Sequence, residues 1–569
     1  MLLNRVFSSV LTLRGSLAAL ALVWAAVIFL VGPRGEFFVN DDWSFVKAFE
    51  SFVASGRVTS TGWGPSYAPG GPALLVHLLW GRLFTLFAGQ SITVLRISVL
   101  VMGILGSLGM LVLLRRAGCA ALPSLMGALA VVVNPLYLSQ SFTYMSDVTF
   151  AALSVYALLF LLLAAQTRSL WLLAAGFGVC LAAILVRQIG AAIVAAFLWM
   201  CLVHPRGRDM GFTRSLLTAA VVVFVPWFFY EYLLFSRGGT HILQHQVVQN
   251  IVRNCAECGS WSGYVRFVSC NALGVLLYCG LFTSPIWILR FGQFMKKKGF
   301  LVFLGCAVFA FAAAQLGILT GSIEPPVFFW PNIIFDFGIG PILLKDTAIL
   351  GISRQGHLPA WAYYIWALVA TLGVGIILGR GRIAIAGLFK REGHAGPSRF
   401  IADVAFWSAL FYTCIICASG FHDRYLIPLF IWLLVWLAVE DPERGTPVRS
   451  PGMIAASAAI IGVIGVLSVV CTRDFMEMKR TLLKAQRYVA AELRLAPCSI
   501  DGGFEFNGYH CYDAAFKPTP GKSWWWVHDE KAVLTLGPLP GYRVERVFPF
   551  RRWLGPDGAV HVLIPASGG

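Results

Sequence analysis

Residues 17–42 read LAALALVWAAVIFLVGPRGEFFVNDD, an apolar run followed by a short polar segment and two adjacent acids. The apolar segment near 16–33 is long enough to cross a hydrocarbon layer of about 30 Å. A basic N-terminal region precedes it, as in a signal peptide, but no small-residue cleavage site appears before Arg34. This stretch therefore predicts an uncleaved first membrane span with Asp41 and Asp42 just beyond it.

The composition extends this interpretation to most of the chain. Of 569 residues, 58% are hydrophobic and only 12% are charged, whereas soluble domains carry about twice that share of charge. About thirteen apolar segments are predicted as spans, near 16–33, 93–114, 121–138, 148–166, 170–186, 189–204, 214–234, 266–289, 299–319, 358–379, 401–420, 425–440 and 452–471. We expect an all-α polytopic membrane bundle over residues 1–471 and a small α+β domain outside the membrane over residues 472–569.

The basic residues predict the orientation of the bundle in a bacterial inner membrane. Loops rich in Arg and Lys alternate with poorer ones, which places the N-terminus in the cytoplasm and, with an odd number of spans, the C-terminal domain outside. The formal net charge is +17, but the one tight basic run, Lys296–Lys298, lies between two apolar segments. We therefore expect membrane lipids, and not nucleic acid, as the anionic partner of these residues.

Three longer segments fall on the predicted outer face. The first, about 34–93, contains the acidic pair and the Gly/Pro-rich stretch Gly62–Pro72. Within this segment, the Gly/Pro-rich stretch is followed by the amphipathic stretch Leu74–Phe87, which we expect to lie along the membrane interface. The other two segments are about 235–265 and about 320–357.

Two cysteine pairs lie in these outer parts of the chain. Cys498 and Cys511 are thirteen positions apart and form a disulfide if their compartment is oxidising. Cys255 and Cys258 either form a tight disulfide or remain thiols, and the sequence shows no partners for a zinc or redox site.

Two groups of acidic residues on the predicted outer face are candidates for chemistry. Asp41 and Asp42 either begin a hydrated loop or act as a general base and a helper at the membrane surface, where burial and neighbouring charges tune their pKa values. Asp147 opens an apolar segment, where a carboxylate either caps the helix or belongs to a site.

Two cationic groups lie on the same face. Arg187 interrupts the apolar run Leu170–Val203, and an arginine at that depth is costly. It either extends to the interface or binds an anion such as a lipid phosphate. Near the end of the bundle, His422, Asp423 and Arg424 return charge to the outer face, where the last two either pair with each other or add a second cation to a site.

All four groups fall on one face, although the alternation of loop charges does not involve them. Two acids, a deeply set arginine and a cationic cluster at the outer leaflet suit the transfer of a group from a lipid phosphate. This convergence favours a common site over four separate structural explanations.

The order of these motifs resembles the type C glycosyltransferase (GT-C) superfamily, and more narrowly the family of protein O-mannosyltransferases and the aminoarabinose-to-lipid A transferase. The resemblance covers about residues 15–440. It rests on the acidic pair in the first outer loop, an amphipathic interface helix, Leu95-Arg96-Ile97 at the second span, Asp147, Arg187, and the run Arg424-Tyr425-Leu426-Ile427-Pro428. The chain departs from many relatives in having Asp-Asp in place of Asp-Glu, and its C-terminal domain matches no acceptor-binding module.

The resemblance implies a sugar donor linked to polyprenyl phosphate, a lipid, glycan or protein acceptor, and a single inverting displacement. Asp41, with Asp42 as the alternative, is then the catalytic base. Arg187 and Arg424 neutralise the leaving phosphate, and Asp147, His422 and Tyr425 complete the substrate site.

Two alternatives remain open from the sequence. No cofactor is required by the residue pattern, although a divalent metal ion between Asp41 and Asp147 is compatible with relatives of this type. The main functional rival is a transporter or flippase of lipid-linked sugars, which needs charged residues along a pathway at mid-bilayer. A third interpretation is an assembly protein that uses Trp524–Trp526 as a contact surface.

Overall fold

The computed structural model describes residues 12–56, 58, 73–204, 211–236, 243–294, 303–305, 307–309, 311–312, 333–335, 338–352, 354, 360–390, 396–439, 450–513, 515–518 and 523–566. Several predicted features lie outside these ranges: Gly62–Pro72, Lys296–Lys298, most of the segment near 299–319, and much of the third outer segment. The described chain forms a helical bundle with a small mixed domain at one end.

The helices follow one another in a simple order. They are α1 (Leu13–Val31), α2 (Asp42–Ser55), α3 (Leu75–Ala88), α4 (Ile92–Arg116), α5 (Ala121–Val133), α6 (Pro135–Gln140), α7 (Ser146–Thr167), α8 (Leu170–Ile184), α9 (Ala191–Val203), α10 (Phe212–Ala219), α11 (Val225–Ser236), α12 (Leu243–Glu257), α13 (Trp261–Phe282), α14 (Ser284–Leu289), α15 (Phe291–Phe294), α16 (Ala360–Lys390), α17 (Pro397–Ser419), α18 (Ile427–Ala438), α19 (Pro451–Ala491) and α20 (Phe504–Cys511). A π-helical turn, Ala220–Phe224, joins α10 to α11.

Within the described ranges, eight helical segments are long and apolar enough to cross a membrane. They correspond to α1, α4, α7, α10 with α11, α13, α16, α17 and α19, and shorter apolar helices accompany them. Each predicted apolar segment that falls inside the described ranges is helical. The prediction of an all-α multi-pass membrane bundle is therefore confirmed.

A break between α5 and α6 lies at the end of the bundle that carries the acidic pair. Pro135 removes a backbone donor and ends the preceding helix. The Asn134 side chain then accepts hydrogen bonds from the N–H groups of Leu136 (2.9 Å) and Tyr137 (3.2 Å), which starts α6. The short α6 and the turn after it lead directly to the first turn of α7, where Asp147 lies.

The long helix α19 connects the bundle to the C-terminal domain without a break at the predicted boundary near residue 471. Beyond its apolar half, Arg480 Nη2 donates to the carbonyl groups of Val31 (2.8 Å) and Gly32 (2.6 Å) at the end of α1. Arginine suits this position because the carbonyl groups of a helix C-terminus lack partners within the helix. The C-terminal domain therefore lies at the same end of the bundle as the acidic pair.

The C-terminal domain contains a four-stranded sheet packed against α19. A short antiparallel pair of strands, β1 (Ile334–Phe335) and β2 (Gly338–Ile339), precedes α16. The strands of the sheet are β3 (Ile500–Asp501), β4 (Ala532–Thr535), β5 (Tyr542–Phe550) and β6 (Gly558–Pro565). The strand order is β3-β4-β6-β5, with β3 parallel to β4 and the other pairs antiparallel. The predicted α+β character of this domain is confirmed.

The two cysteine pairs differ in whether they form a disulfide. Cys498 and Cys511 form a disulfide that ties the start of β3 to the end of α20. Cys255 and Cys258, in contrast, are free thiols near the end of α12.

An aromatic cluster joins the C-terminal domain to α2. Trp43, in the first turn of α2, is fully buried against Phe504 (ring centroids 5.9 Å apart) and Trp526 (5.7 Å). A Cβ atom on Gly508 would lie 2.5 Å from the Trp43 ring, so α20 approaches α2 as closely as a glycine allows. Of the predicted Trp524–Trp526 contact surface, Trp524 is exposed but Trp526 belongs to this buried cluster.

Candidate active site

The loop that carries the acidic pair is shaped from inside the bundle by Arg96. This side chain is fully buried in the second turn of α4. Its Nη1 donates to the carbonyl groups of Pro33 (2.8 Å) and Gly35 (2.9 Å), and its Nη2 donates to Phe37 (2.8 Å). The arginine of the Leu-Arg-Ile motif therefore has a structural role, because it fixes the chain between α1 and the acidic turn.

The two adjacent acids point to different partners. Asp42 is fully buried and accepts hydrogen bonds from the N–H groups of Val39 (2.7 Å) and Tyr144 (3.4 Å). Asp41 precedes α2 without capping it, and its Oδ2 accepts a hydrogen bond from Nη2 of Arg424. The structure thus assigns Asp42 to the fold of the loop and places Asp41 among the charged residues from other elements.

Burial changes the proton affinity of both acids. It raises the pKa of Asp42 to about 7, against the opposing effects of Arg96 and of the two N–H donors. Burial also raises the pKa of Asp41 above its ordinary value, and the Arg424 guanidinium opposes that rise. Asp41 is therefore a stronger base than an exposed aspartate whenever Arg424 moves away.

A second ion pair is built from α7 and the bend before α9. Arg187 has an extended backbone (φ −145°) after α8, so its side chain reaches α7. Its Nη2 donates to Oδ2 of Asp147 (2.9 Å), and its Nε donates to Ser146 Oγ (3.0 Å). Asp147 does not cap α7, whose N-cap is Met145. Arg187 is thus held by Asp147, in the first turn of α7.

The two ion pairs meet at Tyr425. The Arg187 guanidinium carbon lies 5.3 Å from the centre of the Tyr425 ring, and that of Arg424 lies 5.5 Å from it, distances typical of cation–π contacts. The 3₁₀ turn Asp423–Leu426 presents the ring, and Tyr412 Oη fixes its backbone by donating to the Tyr425 carbonyl (2.8 Å). Tyr425 therefore joins two arginines that are far apart in sequence.

The remaining residues of this segment have separate roles. Asp423 does not pair with the Arg424 guanidinium; its carboxylate accepts hydrogen bonds from the N–H groups of Ile333, Ile334 and Arg424. It thereby attaches the β1–β2 hairpin to the site. His422 is exposed, with its ring centroid 5.5 Å from that of Tyr425.

Arg424 keeps donors available for a further anion. Its side chain is 6% exposed, yet Nε and Nη1 are buried and have no hydrogen-bond partner among the described residues. A buried guanidinium with unpaired N–H groups is costly unless a ligand supplies the acceptors. A phosphate, which offers several oxygen acceptors, suits these donors.

The C-terminal domain contributes two residues that the sequence gave no reason to select. Glu505, in the first turn of α20, accepts hydrogen bonds from the Asn40 N–H (3.1 Å) and from Lys479 Nζ of α19 (2.5 Å). Asn40 has a left-handed backbone (φ +53°) immediately before Asp41. The buried Lys479–Glu505 pair therefore supports the turn that presents Asp41. No sequence spacing could reveal it, because Glu505 and Asn40 are separated by 465 positions.

The carboxylates do not form an evident metal centre. Among the described residues, no three His, Cys, Asp or Glu side chains come together as metal ligands. Asp41 and Asp147, the two acids that a divalent ion would use, are each paired with an arginine. A divalent ion between Asp41 and Asp147 stays a sequence-based prediction.

Comparisons with known proteins give a limited result. No protein-family model matches the chain, and no curated protein matches it. Among solved structures, the chain is similar to ArnT from Cupriavidus metallidurans bound to undecaprenyl phosphate, with 16% identity, a TM-score of 0.37 and coverage of 96% of this chain and 97% of that one. The apo structure of the same ArnT gives 15% identity, a TM-score of 0.34 and coverage of 96% and 98%.

Proposed function

We propose that this protein is a GT-C-type membrane glycosyltransferase. It transfers a hexose or pentose from a polyprenyl-phosphate carrier to a hydroxyl group of a lipid, glycan or protein acceptor at the outer face of the bacterial inner membrane. The observation that carries this proposal is the pair of acid–arginine contacts, Asp41–Arg424 and Asp147–Arg187, joined at the Tyr425 ring. They supply a base and two phosphate-binding cations within one site.

In the proposed mechanism Asp41 is the general base. The acceptor O–H gives its proton to the Asp41 carboxylate while the oxygen forms a bond to the anomeric carbon of the sugar. The bond from that carbon to the phosphate oxygen breaks at the same time, and its electron pair leaves with polyprenyl phosphate. This single displacement inverts the anomeric centre, and a base so placed typically contributes about 10²–10⁴-fold to the rate.

Arg424 and Arg187 hold the leaving phosphate in this mechanism. The carrier phosphate competes with Asp41 for Arg424, whose Nε and Nη1 have no hydrogen-bond partner among the described residues. As the guanidinium turns toward the phosphate, Asp41 loses its ion pair and gains proton affinity because it remains buried. Donor binding thus both neutralises the leaving group and prepares the base, while Asp147 keeps Arg187 oriented.

The positions of the buried charged residues support a glycosyltransferase rather than a transporter of lipid-linked sugars. Among the described residues, the buried residues Arg96, Asp147 and Asp403 lie within the first two turns of α4, α7 and α17. Arg380 lies near the end of the apolar part of α16. At the end of α18 away from the site, for example, Arg290 and Arg380 donate to carbonyl groups at its C-terminus. A carrier of lipid-linked sugars needs polar groups at mid-bilayer, as in transporters with broken helices.

The decisive experiment measures release of polyprenyl phosphate from a panel of polyprenyl-phosphate hexoses and pentoses by the purified protein. We expect Asp41→Asn to lower turnover about 10²–10⁴-fold and Arg187→Ala to lower it about 10²–10³-fold, as for removal of one group that stabilises transition-state charge. Asp403→Asn is the matched control, because Asp403 also pairs with an arginine, Arg399 (2.9 Å), but at the other end of α17. Full turnover by folded Asp41→Asn and Arg187→Ala proteins would refute the proposed site.

A further inference from the structure

The turn between β5 and β6 is attached to α19 close to the membrane. We call residues 551–557 the hairpin tip. Asp474 of α19 accepts hydrogen bonds from the N–H groups of Trp553 and Leu554, at 2.9 Å each. Arg473 donates to the Arg551 carbonyl (2.9 Å), and its guanidinium carbon lies 4.7 Å from the centre of the Trp553 ring. The hairpin tip is therefore fixed in position and does not extend freely into solvent.

The depth of the hairpin tip follows from the length of α19. The helix begins at Pro451, and about 20 helical residues cross a hydrocarbon layer of about 30 Å. Arg473 and Asp474 therefore lie just beyond the outer hydrocarbon edge. Arg480, further along the same helix, contacts the end of α1. The hairpin tip, which contacts Arg473 and Asp474, thus lies at the depth of lipid headgroups.

A cavity of about 370 Å³ opens between the hairpin tip, α19, the sheet and the segment around β2. Its lining includes the apolar side chains of Ile339, Phe475, Met478 and Phe550. Four charged residues line it as well: Arg354, Asp474, Arg552 and Asp557. This volume is at the small end of the range for ligand pockets, about 300–1,000 Å³. It suits a headgroup with its first methylene groups but not a whole lipid.

The charges around the cavity leave one arginine for a ligand. Asp474 is occupied by backbone N–H groups and by Arg473. Arg354, on the opposite wall, is held by Asp346 (3.1 Å) and by the Pro538 carbonyl. The side chain of Arg552 is partly buried and has no ion-pair or hydrogen-bond partner among the described residues; only its backbone N–H binds Asp557.

We propose that this cavity binds the phosphate headgroup of an anionic phospholipid from the outer leaflet. The Arg552 guanidinium contacts the phosphate, and the apolar wall accepts the adjoining methylene groups. Trp553 (51% exposed) rests at the interface beside it, as aromatic anchors do in membrane proteins. The site is distinct from the one at Tyr425 and does not depend on the glycosyltransferase proposal.

The test is native mass spectrometry of the purified full-length protein with phosphatidylglycerol or phosphatidylcholine of identical acyl chains. We expect phosphatidylglycerol to remain bound preferentially, and Arg552→Gln to weaken its binding about tenfold, the loss expected for one charge-assisted hydrogen bond. Arg551→Gln is the matched control, because it removes the same charge from an adjacent exposed residue. The Arg551→Gln protein should retain phosphatidylglycerol. If both variants lose binding of phosphatidylglycerol equally, the binding depends only on general surface charge and the proposal is overturned.

Two further results separate the sources of phosphate. If phosphatidylcholine binds as tightly as phosphatidylglycerol, the cavity does not select an anionic headgroup and the proposal fails. If sn-glycerol 3-phosphate without acyl chains binds equally well with the same dependence on Arg552, the ligand is a soluble phosphate and the assignment to a membrane lipid is wrong.

Discussion

The buried pair between Lys479 and Glu505 offers the sharpest test of how the C-terminal domain supports the acidic turn. Their side chains are only 3% and 4% exposed, and Nζ lies 2.5 Å from Oε1. Glu505→Leu leaves a buried ammonium without its partner, which costs about 3–5 kcal/mol of unfolding free energy. It also removes an acceptor of the Asn40 N–H (3.1 Å), for which we expect about 1–3 kcal/mol more.

The double variant separates charge burial from the rest of the effect. Lys479→Met alone leaves Glu505 as an uncompensated buried carboxylate, so we expect it also to lose about 3–5 kcal/mol. When both residues are replaced, only the effect at Asn40 remains, and the loss should fall to about 1–3 kcal/mol. The two single losses should therefore be strongly non-additive.

The assay is denaturant-induced unfolding of the purified variants in mild detergent, with turnover measured in parallel. Lys531→Met is the matched control, because Lys531 pairs with Asp529 (3.3 Å) but both are more than half exposed; we expect a change within about 0.5 kcal/mol. Single variants that each lose less than about 1 kcal/mol, or a double variant that loses the full sum, contradict a buried coupled pair.

Two further predictions concern Asp42 and the orientation of the chain. The pKa of Asp42 is raised by burial to about 7, so its contribution to stability is full below its unfolded pKa near 4 and is lost as the pH rises through 7. The unfolding free energy of the protein should therefore fall between pH 5 and pH 8, and it should fall by less in Asp42→Asn. An equal fall in both proteins contradicts the raised pKa of Asp42. A topology reporter fused after Gly569 should appear outside the cytoplasm, because Arg480 joins the C-terminal domain to the end of α1 that leads to Asp41. A reporter in the cytoplasm contradicts the orientation on which the outer-face site depends.

Hydrophobic periodicity and loop charge were sufficient to predict the bundle. An apolar segment must become a helix in the membrane because only intrahelical hydrogen bonds satisfy its backbone there. The segments predicted near 93–114 and 148–166 accordingly appear as α4 and α7, within a few residues of their expected ends. The same reasoning could not foresee that α19 continues through the interface to Ala491, because a helix in water depends on tertiary packing.

The sequence was sufficient to select Asp41, Asp147, Arg187 and Arg424 as candidate site residues. Charged residues beside apolar segments are energetically costly to place in or near the membrane, so they stand out in the sequence. Only the tertiary structure paired each acid with its arginine. It also separated Asp41 from Asp42, which are neighbours in sequence but have different surroundings once Val39 and Tyr144 bind the second carboxylate.

The sequence by itself thus determined which elements cross the membrane and which polar residues are unusual, since both follow from the transfer of single residues between water and hydrocarbon. The tertiary structure alone decided that Tyr425 joins the two arginines and that Glu505 supports the turn before Asp41. Such contacts depend on the distances between side chains brought together from distant parts of the chain. No local pattern of residues encodes those distances.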